Sequence, residues 1–372
     1  MKTVLLVSNR VMHYRVPVYN YLHRRFRECG WDFSVLSDEL QKENPHSLDF
    51  GFKEVPLEFS RYKREIEQMN PDVVITFLRL KDLTVWPLVH WLKARRTPVA
   101  FWMKAMNYDK PTSRSSRLMY RYMQSLVDGL ILYSVRELDI LRPGIRRKAF
   151  AANNTVNFES YPSVPASRAE IKEEFGIPFE KIVLFVGRIS VGGERKKVRH
   201  LVEIFRQIET PGVGLVIVGS GMTPELLKML NPVNTRYLGE LHDPGELQIS
   251  KIFKIADVFS IPGHVGLGIN QAFYWGLPVV TEHGGQSPEI HYLVDGRNGF
   301  IVPENDREQL KARILDLLND DERRRRFSEK ARHDILANAS PEGMFEGFRA
   351  CVESLTAGRN AAPSRVPLRG EP

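Results

Sequence analysis

Four loops in the second half of the chain carry residue types suited to gripping an anion. The first, Gly187-Arg188-Ile189-Ser190, follows the apolar run Lys181–Val186 and continues through Gly192-Gly193-Glu194-Arg195-Lys196-Lys197 into a helical pattern near Val198. Arg188 brings a planar guanidinium and Lys196 a compact ammonium, the two groups best suited to phosphate oxygens. A solvated basic loop is the plainer reading of a charge run. The place of Arg188 directly behind an apolar strand argues for ligand contact. The second loop, Ser260 to Gln271, contains His264, Gly266, Leu267 and Gly268 and runs into an apolar helix at Ile269. Its glycines permit close backbone approach, and a helix start presents unsatisfied N–H groups. A tight turn accounts for the same spacing, and no third glycine completes a dinucleotide fingerprint. The third loop is Gly219-Ser220-Gly221 and the fourth is Glu282-His283-Gly284-Gly285-Gln286-Ser287-Pro288-Glu289.

The elements that must position these loops are short and regular. Apolar runs at Thr3–Ser8, Asp32–Leu36, Val73–Phe77, Val99–Trp102 and Gly129–Tyr133 show no alternation, as strands covered on both faces of a parallel sheet do. Helical spacing lies between them at Val16–Arg25, Leu83–Ala94 and Arg117–Leu126. From Asn153 to Ala169 periodicity stops, with Tyr161-Pro162-Ser163-Val164-Pro165 in its middle, and the stretch reads as a linker. A second series follows: strands at Lys181–Val186, Gly214–Val218, Thr235–Leu238, Val258–Ile261, Pro278–Thr281 and Gly299–Val302, with helices at Arg199–Ile208, Glu225–Leu230, Glu246–Ile255 and Ile269–Trp275. The expected architecture is α/β: two Rossmann-like, doubly wound domains facing across a cleft, residues 1–160 and 161–340. A helix over 341–356 returns to the first domain, and a Pro/Arg/Gly-rich tail over 357–372 is expected to be disordered. Open parallel sheets bind ligands at the carboxyl ends of their strands, where these loops lie.

Composition narrows the class. The 372 residues include 53 Lys and Arg against 45 Asp and Glu, so the formal charge is 53 − 45 = +8. Hydrophobic residues make up 42%, which suits a globular protein with ordinary cores. No apolar run approaches the ~20 residues of a membrane-spanning helix, and the start Met1-Lys2-Thr3-Val4-Leu5-Leu6-Val7-Ser8 does not read as a signal peptide. Cys29 and Cys351 are the only cysteines, too few for a disulfide framework or a thiolate zinc site, and a reducing cytoplasmic location is expected. No nucleic-acid reader motif is present, and no nucleic-acid partner is expected. Arg114, Arg117 and Arg121 recur on one helical side near Met119, Tyr120 and Met123, with Lys93, Arg95 and Arg96 in another segment. This face reads either as ordinary solvated surface or as a peripheral contact with the inner face of an anionic membrane.

Taken in order, the four loops resemble the carboxyl-terminal domain of retaining family 4 glycosyltransferases, which have the GT-B fold. The matching strings are Val186-Gly187-Arg188-Ile189, Lys196-Lys197-Val198, Val218-Gly219-Ser220-Gly221, Tyr237-Leu238-Gly239-Glu240-Leu241, Ala256-Asp257-Val258-Phe259, Gly266-Leu267-Gly268, the run from Gln271 to Val280, and Gly284-Gly285-Gln286-Ser287-Pro288-Glu289. In the first half, His13-Tyr14-Arg15-Val16-Pro17 is similar to the start of some bacterial members. The resemblance implies a nucleotide-sugar donor, UDP-linked by preference and GDP-linked as the alternative, with no tightly bound cofactor. It implies an acceptor hydroxyl on a glycan, a lipid-linked glycan or a small molecule.

Arg188 and Lys196 fall where the family pairs the donor diphosphate, and the resemblance implies that they are the catalytic cations. Gly187, Gly219, Gly221, Leu241, His264, Gly266, Leu267, Gly268, Ile269 and Gln271 fall on the nucleotide-sugar site. His13, Arg15 and Lys104 are implied acceptor contacts. The family's two glutamates eight residues apart are replaced by Gly263 and Gln271, and the histidine many members carry after the strand Val99–Trp102 is replaced by Lys104. No Asp-x-Asp triplet offers a metal site, so metal-independent transfer is expected. A nucleotide-sugar epimerase of the same fold and a catalytically silent sugar-nucleotide-binding protein stand as alternatives.

Overall fold

The computed structural model describes residues 1–42, 44–78, 82–189, 195–241 and 243–357. Ser190, Gly192, Gly193, Glu194 and the tail beyond Ala357 lie outside the described residues. The amino-terminal sheet contains β1 (Lys2–Ser8), β2 (Trp31–Ser37), β3 (Gly51–Glu54), β4 (Val73–Phe77), β5 (Val99–Met103), β6 (Gly129–Leu132) and β7 (Ala149–Ala151). Its order is β3-β2-β1-β4-β5-β6-β7. The second sheet contains β8 (Lys181–Val186), β9 (Val213–Val218), β10 (Thr235–Tyr237), β11 (Val258–Ser260), β12 (Val279–Glu282) and β13 (Gly299–Val302). Its order is β10-β9-β8-β11-β12-β13.

Every pairing in both sheets is parallel, with Leu5 opposite Ser34 on one side and Val74 on the other. The continuous apolar runs follow from this: helices cover both faces, and Val4, Leu5, Leu6, Leu184 and Phe185 are fully buried. The strand order reverses between β1 and β4 and again between β8 and β11, so each domain has its switch point in mid-sheet. This is the architecture the strand spacing predicts.

The sequence reading omitted two strands. β3 is an edge strand with mostly exposed residues, and β7 has only three residues, so neither carries a long apolar run. The stretch read as a linker is also more than a tether. Asn154, Thr155, Val156 and Phe158 are buried, and Asn270 of the second domain donates its side-chain amide to Asn154 O at 3.2 Å and Thr155 Oγ1 at 3.3 Å. Polar residues here satisfy one another at a domain junction, which composition alone cannot tell from solvation.

The last helix, Pro341–Ala357, packs on the first domain. Phe348 meets Trp102 edge-on at 5.0 Å and Phe345 meets Phe26 at 5.2 Å. Glu342 accepts from Tyr21 Oη at 2.7 Å and Arg25 Nη2 at 2.8 Å. Gly347 is what allows the helix so close: a Cβ there would lie 2.4 Å from Ala151 O and 2.6 Å from Ala152 Cα. Gly347→Ala is expected to destabilise the protein by about 1–3 kcal/mol, as overpacking does, read as a lower urea midpoint with unchanged slope.

Candidate functional site

The loops after β8, β9 and β10 lie backbone to backbone. Gly187 N donates to Val218 O at 2.9 Å, Ile189 N to Ser220 O at 2.6 Å and Gly219 N to Gly239 O at 2.8 Å. A Cβ on Gly219 would stand 2.1 Å from Gly187 O, so the glycine is required by contact. Tyr237 Oη closes the layer by donating to Gly219 O at 2.8 Å. Gly221 continues this layer with φ +87°, a conformation that favours glycine. Leu241 is half-buried against the second core.

The turn 195–197 is joined to the loop after β11. Gly263 N donates to Lys196 O at 3.2 Å and His264 N to Arg195 O at 2.6 Å. A Cβ at Gly263 would sit 2.1 Å from Arg195 O, so no side chain fits there. The loop is propped from behind by Gln286, which donates to Gly263 O at 2.8 Å and accepts from Val265 N at 3.1 Å. Gly266 adopts φ +62° and turns the chain into the helix Gly268–Tyr274. The amides of Gly268 and Ile269 bond back to Val265 O and Gly266 O, both at 3.3 Å. Leu267 is half-buried ahead of this helix, and Gln271 on it stands beside Tyr161.

The charges in this corner are sorted by the fold. Lys197 takes the left-handed conformation, φ +49°, and its ammonium binds Glu282 at 2.9 Å, Glu304 at 3.0 Å and Asn305 Oδ1 at 2.9 Å. Lys196 turns the other way, along Gly187, and donates to His264 O at 3.2 Å. Burial, with the nearby Arg195 charge, pushes its pKa down to about 8. Arg188, next to Gly187 in the chain, is exposed. Arg195 reaches across to Asp109 of the first domain at 3.4 Å. Burial and the charges of Arg195, Lys104 and Lys196 depress His264 to about 3, so its ring is neutral, and its Nε2 is buried without a hydrogen-bond partner.

The opposite wall comes from the first domain. Lys104 follows β5, is half-buried, and lies 6.0 Å from the centre of the Tyr108 ring. His13 hydrogen-bonds Gln41 Oε1 through its backbone amide at 3.2 Å and its ring Nδ1 at 2.9 Å. Arg15 is buried beneath the cleft, where its guanidinium lies 4.8 Å from the centre of the Trp102 ring and donates to Asn154 Oδ1 at 2.9 Å. Asn154 donates in turn to Glu289 of the second domain, so one polar chain crosses the junction. Outside the cleft, a groove of about 830 Å³ runs along the helix Val16–Glu28, with Asn20, Arg24, Arg27, His46 and Gly245 among its walls.

The structure thus gathers Gly187, Lys196, Gly219, His264 and Gly266 on one wall, with Arg188 next to Gly187 in the chain, and Arg195 joins that wall to Asp109 of the first domain, five residues after Lys104. Arg15 reaches the junction through Asn154. Glu137 and Asn154 went unnoticed as candidates because no local spacing marks them, and Glu289 was read only as the end of the fourth loop. Their shared burial at the junction is purely tertiary. Glu137 is 1% exposed; its Oε1 accepts from Ala105 N at 2.7 Å and Tyr108 Oη at 3.1 Å, while Oε2 has no partner. Among the described residues, no cluster of three His, Cys, Asp or Glu side chains could hold a metal ion. No helix among them is long and apolar enough to cross a membrane.

Residues 167–334 match the family model described as glycosyl transferases group 1. The chain is 30% identical over 207 residues to spore coat protein SA of Bacillus subtilis, covering 50% of this chain and 52% of that protein. It is 28% identical over 220 residues to a GDP-mannose-dependent phosphatidylinositol monomannoside mannosyltransferase of Mycolicibacterium smegmatis, covering 54% and 52%. The alignments therefore span about half the length of these curated relatives. Among solved structures, Anabaena HepE in complex with UDP and glucose superposes with a TM-score of 0.75 at 15% identity, over 95% of this chain and all (100%) of that one. A glycosyltransferase from Rickettsia africae superposes at 0.71 with 16% identity, over 97% of this chain and 100% of that one. The whole chain has the GT-B fold.

Burial raises the Glu137 carboxyl to about 7 from an ordinary 4.5. A carboxyl raised on folding means that the native state binds the extra proton, so stability falls as pH rises from about 4.5 to about 7. Glu137→Gln is expected to flatten that part of the stability-against-pH curve and to raise the melting temperature more at pH 8 than at pH 5.

Proposed function

We propose that the protein is a metal-independent, retaining hexosyltransferase of family 4, moving a sugar from a nucleotide-sugar donor to an acceptor hydroxyl. The observation that carries this reading is the interlocked corner in which the loops after β8 and β11 set Arg188, Lys196 and the Gly266 turn on one wall. The group 1 domain and a mannosyltransferase relative named for GDP-mannose support the sugar-nucleotide donor. HepE bound to UDP and glucose favours the same ligand class.

In this mechanism the bond from the anomeric carbon to the β-phosphate oxygen breaks, and negative charge builds on the diphosphate. Arg188, from the exposed side, and the partly buried Lys196 stabilise that charge. Binding of the diphosphate returns the Lys196 pKa upward, which keeps the ammonium charged through the reaction. The acceptor hydroxyl attacks from the leaving-group face and passes its proton to a β-phosphate oxygen. That route retains configuration and requires no carboxylate at position 263, where none fits. His13 and Lys104 hold the acceptor side, and Arg15 supports them from behind through Asn154. Gln271 hydrogen-bonds the ribose.

The test is nucleoside diphosphate release from a panel of UDP- and GDP-sugars with candidate glycan acceptors. Release that depends on acceptor, persists in EDTA and yields the donor's anomeric configuration by NMR is expected. Donor isomerisation without acceptor, inversion, or restoration by manganese after chelation would contradict the respective parts. Charge-assisted hydrogen bonds contribute roughly 1.5–3 kcal/mol each, so Arg188→Ala should lower kcat/KM by about tenfold to a hundredfold.

The helix Arg114–Leu126 supports a peripheral membrane contact. Arg114 and Arg117 are exposed on it beside Leu118, 67% exposed, and Tyr122, 44% exposed, while Met123 points into the core. Leu83, just ahead of the neighbouring helix Val85–Ala94, is 81% exposed. Such a face suits anionic lipid headgroups. Co-sedimentation with vesicles should rise with phosphatidylglycerol content and fall for a Leu118→Glu/Arg117→Glu variant; binding indifferent to lipid charge would end this assignment.

A further inference from the structure

Lys196 is held along its whole length. Its side chain runs beside Gly187, where an added Cβ would lie 2.8 Å from Lys196 Cε, and its ammonium donates to His264 O at 3.2 Å. Its backbone is fixed by Gly263 N, which donates to Lys196 O at 3.2 Å, and by His264 N, which donates to Arg195 O at 2.6 Å. The next residue sets the direction of this turn. Lys197 caps the helix Val198–Phe205 with φ +49° and ψ +39°. A residue with a Cβ stays in that left-handed region only when its surroundings hold it there.

The hold is visible. Lys197 Nζ donates to Glu282 Oε2 at 2.9 Å, Glu304 Oε1 at 3.0 Å and Asn305 Oδ1 at 2.9 Å. An ammonium has three N–H groups, so three acceptors use all of them. The other oxygen of the wholly buried Glu282 lies 2.6 Å from Nδ1 of His200, a buried residue on the same helix. The first turn of that helix is therefore tied to the end of β12 at two points. The backbone of Glu282 completes a ring, because its N–H donates to Pro262 O at 3.0 Å. The ring runs from the Glu282 carboxylate through Lys197 to Lys196 O, across to the Gly263 amide, and back through Pro262 to Glu282 N.

We propose that Lys197 is a positioning residue: held by Glu282, it keeps the basic turn in the conformation that lays Lys196 along Gly187. The inference rests on the transferase reading above, in which Lys196 binds the donor diphosphate. Lys197 acts through its backbone, since its ammonium is fully used by Glu282, Glu304 and Asn305. Glycine enters the left-handed region without a Cβ penalty. Lys197→Gly therefore loses the tie but keeps the turn, whereas Lys197→Ala loses the tie and keeps the penalty.

Calorimetry with UDP and with GDP on the full chain, well below the melting transition, tests this. Lys196→Ala should weaken binding about tenfold to a hundredfold, the loss of one charge-assisted hydrogen bond. Lys197→Ala should weaken it about tenfold through misplacement of Lys196, and Lys197→Gly by less than about threefold. Beside Lys196→Ala, Lys197→Ala should cost nothing further. Glu282→Gln should weaken binding about threefold in the native background and have no effect beside Lys197→Gly. Equal losses for Lys197→Gly and Lys197→Ala, or a Lys197→Ala loss that persists beside Lys196→Ala, would reveal a direct charge effect and overturn the inference. So would a Glu282→Gln effect undiminished beside Lys197→Gly, or variants that melt earlier yet bind with native affinity. Each of these results leaves the transferase reading intact. A native chain that binds neither UDP nor GDP would overturn both.

Discussion

Glu282 is wholly buried, and its two oxygens hold the turn on which the cationic corner is built. They accept from Lys197 Nζ at 2.9 Å and Asn305 N at 2.9 Å, and meet His200 Nδ1 at 2.6 Å. A buried carboxylate is costly unless paired and fully hydrogen-bonded, and here every neighbour supplies a donor. Those bonds also lower its pKa despite burial. The network fixes Lys197 in a left-handed conformation, and this sends Lys196 and Arg195 in the opposite direction, towards the cleft. The basic turn thus carries one completely paired cation, Lys197, beside Arg195, which pairs with Asp109, and Lys196, which donates to a backbone carbonyl.

That arrangement explains the glycine at position 263. The Arg195 carbonyl occupies the space a side chain would need, and the two loops exchange backbone hydrogen bonds in its place. The backbone of the basic turn fills that volume. The electrostatic character of the site therefore differs from one built around a carboxylate pair.

The two domains meet through polar groups more than through a continuous apolar core. Arg15, Asn154 and Glu289 form a chain from one sheet to the other, and Ser134 Oγ lies 3.1 Å from His291 Nδ1 beside it. Glu137 Oε2, Glu289 Oε2 and the Tyr292 hydroxyl are buried near this seam without partners. Polar seams are easier to rearrange than apolar ones, because a shift exchanges hydrogen bonds instead of exposing apolar area. The returning helix Pro341–Ala357, by contrast, packs through Phe345 and Phe348 and anchors the chain's end to the first domain.

Much of this was legible in the residues. Continuous apolar strands such as Val73–Phe77 and Lys181–Val186 declare a parallel sheet, because burial on both faces removes alternation. Glycines beside cations after those strands declare an anion site, because loops at strand ends are where ligands bind. What folding alone decided is which charges remain unpaired. Lys196 and Lys197 are adjacent and chemically identical, yet one is neutralised by Glu282, 85 residues away from Lys197, and the other faces the cleft. Arg15 and Lys104 both follow first-domain strands, yet one is buried on Trp102 and Asn154 while the other is half-buried near Tyr108. Charge state and solvation depend on distances between segments remote in sequence, and those distances exist only once the sheets have formed.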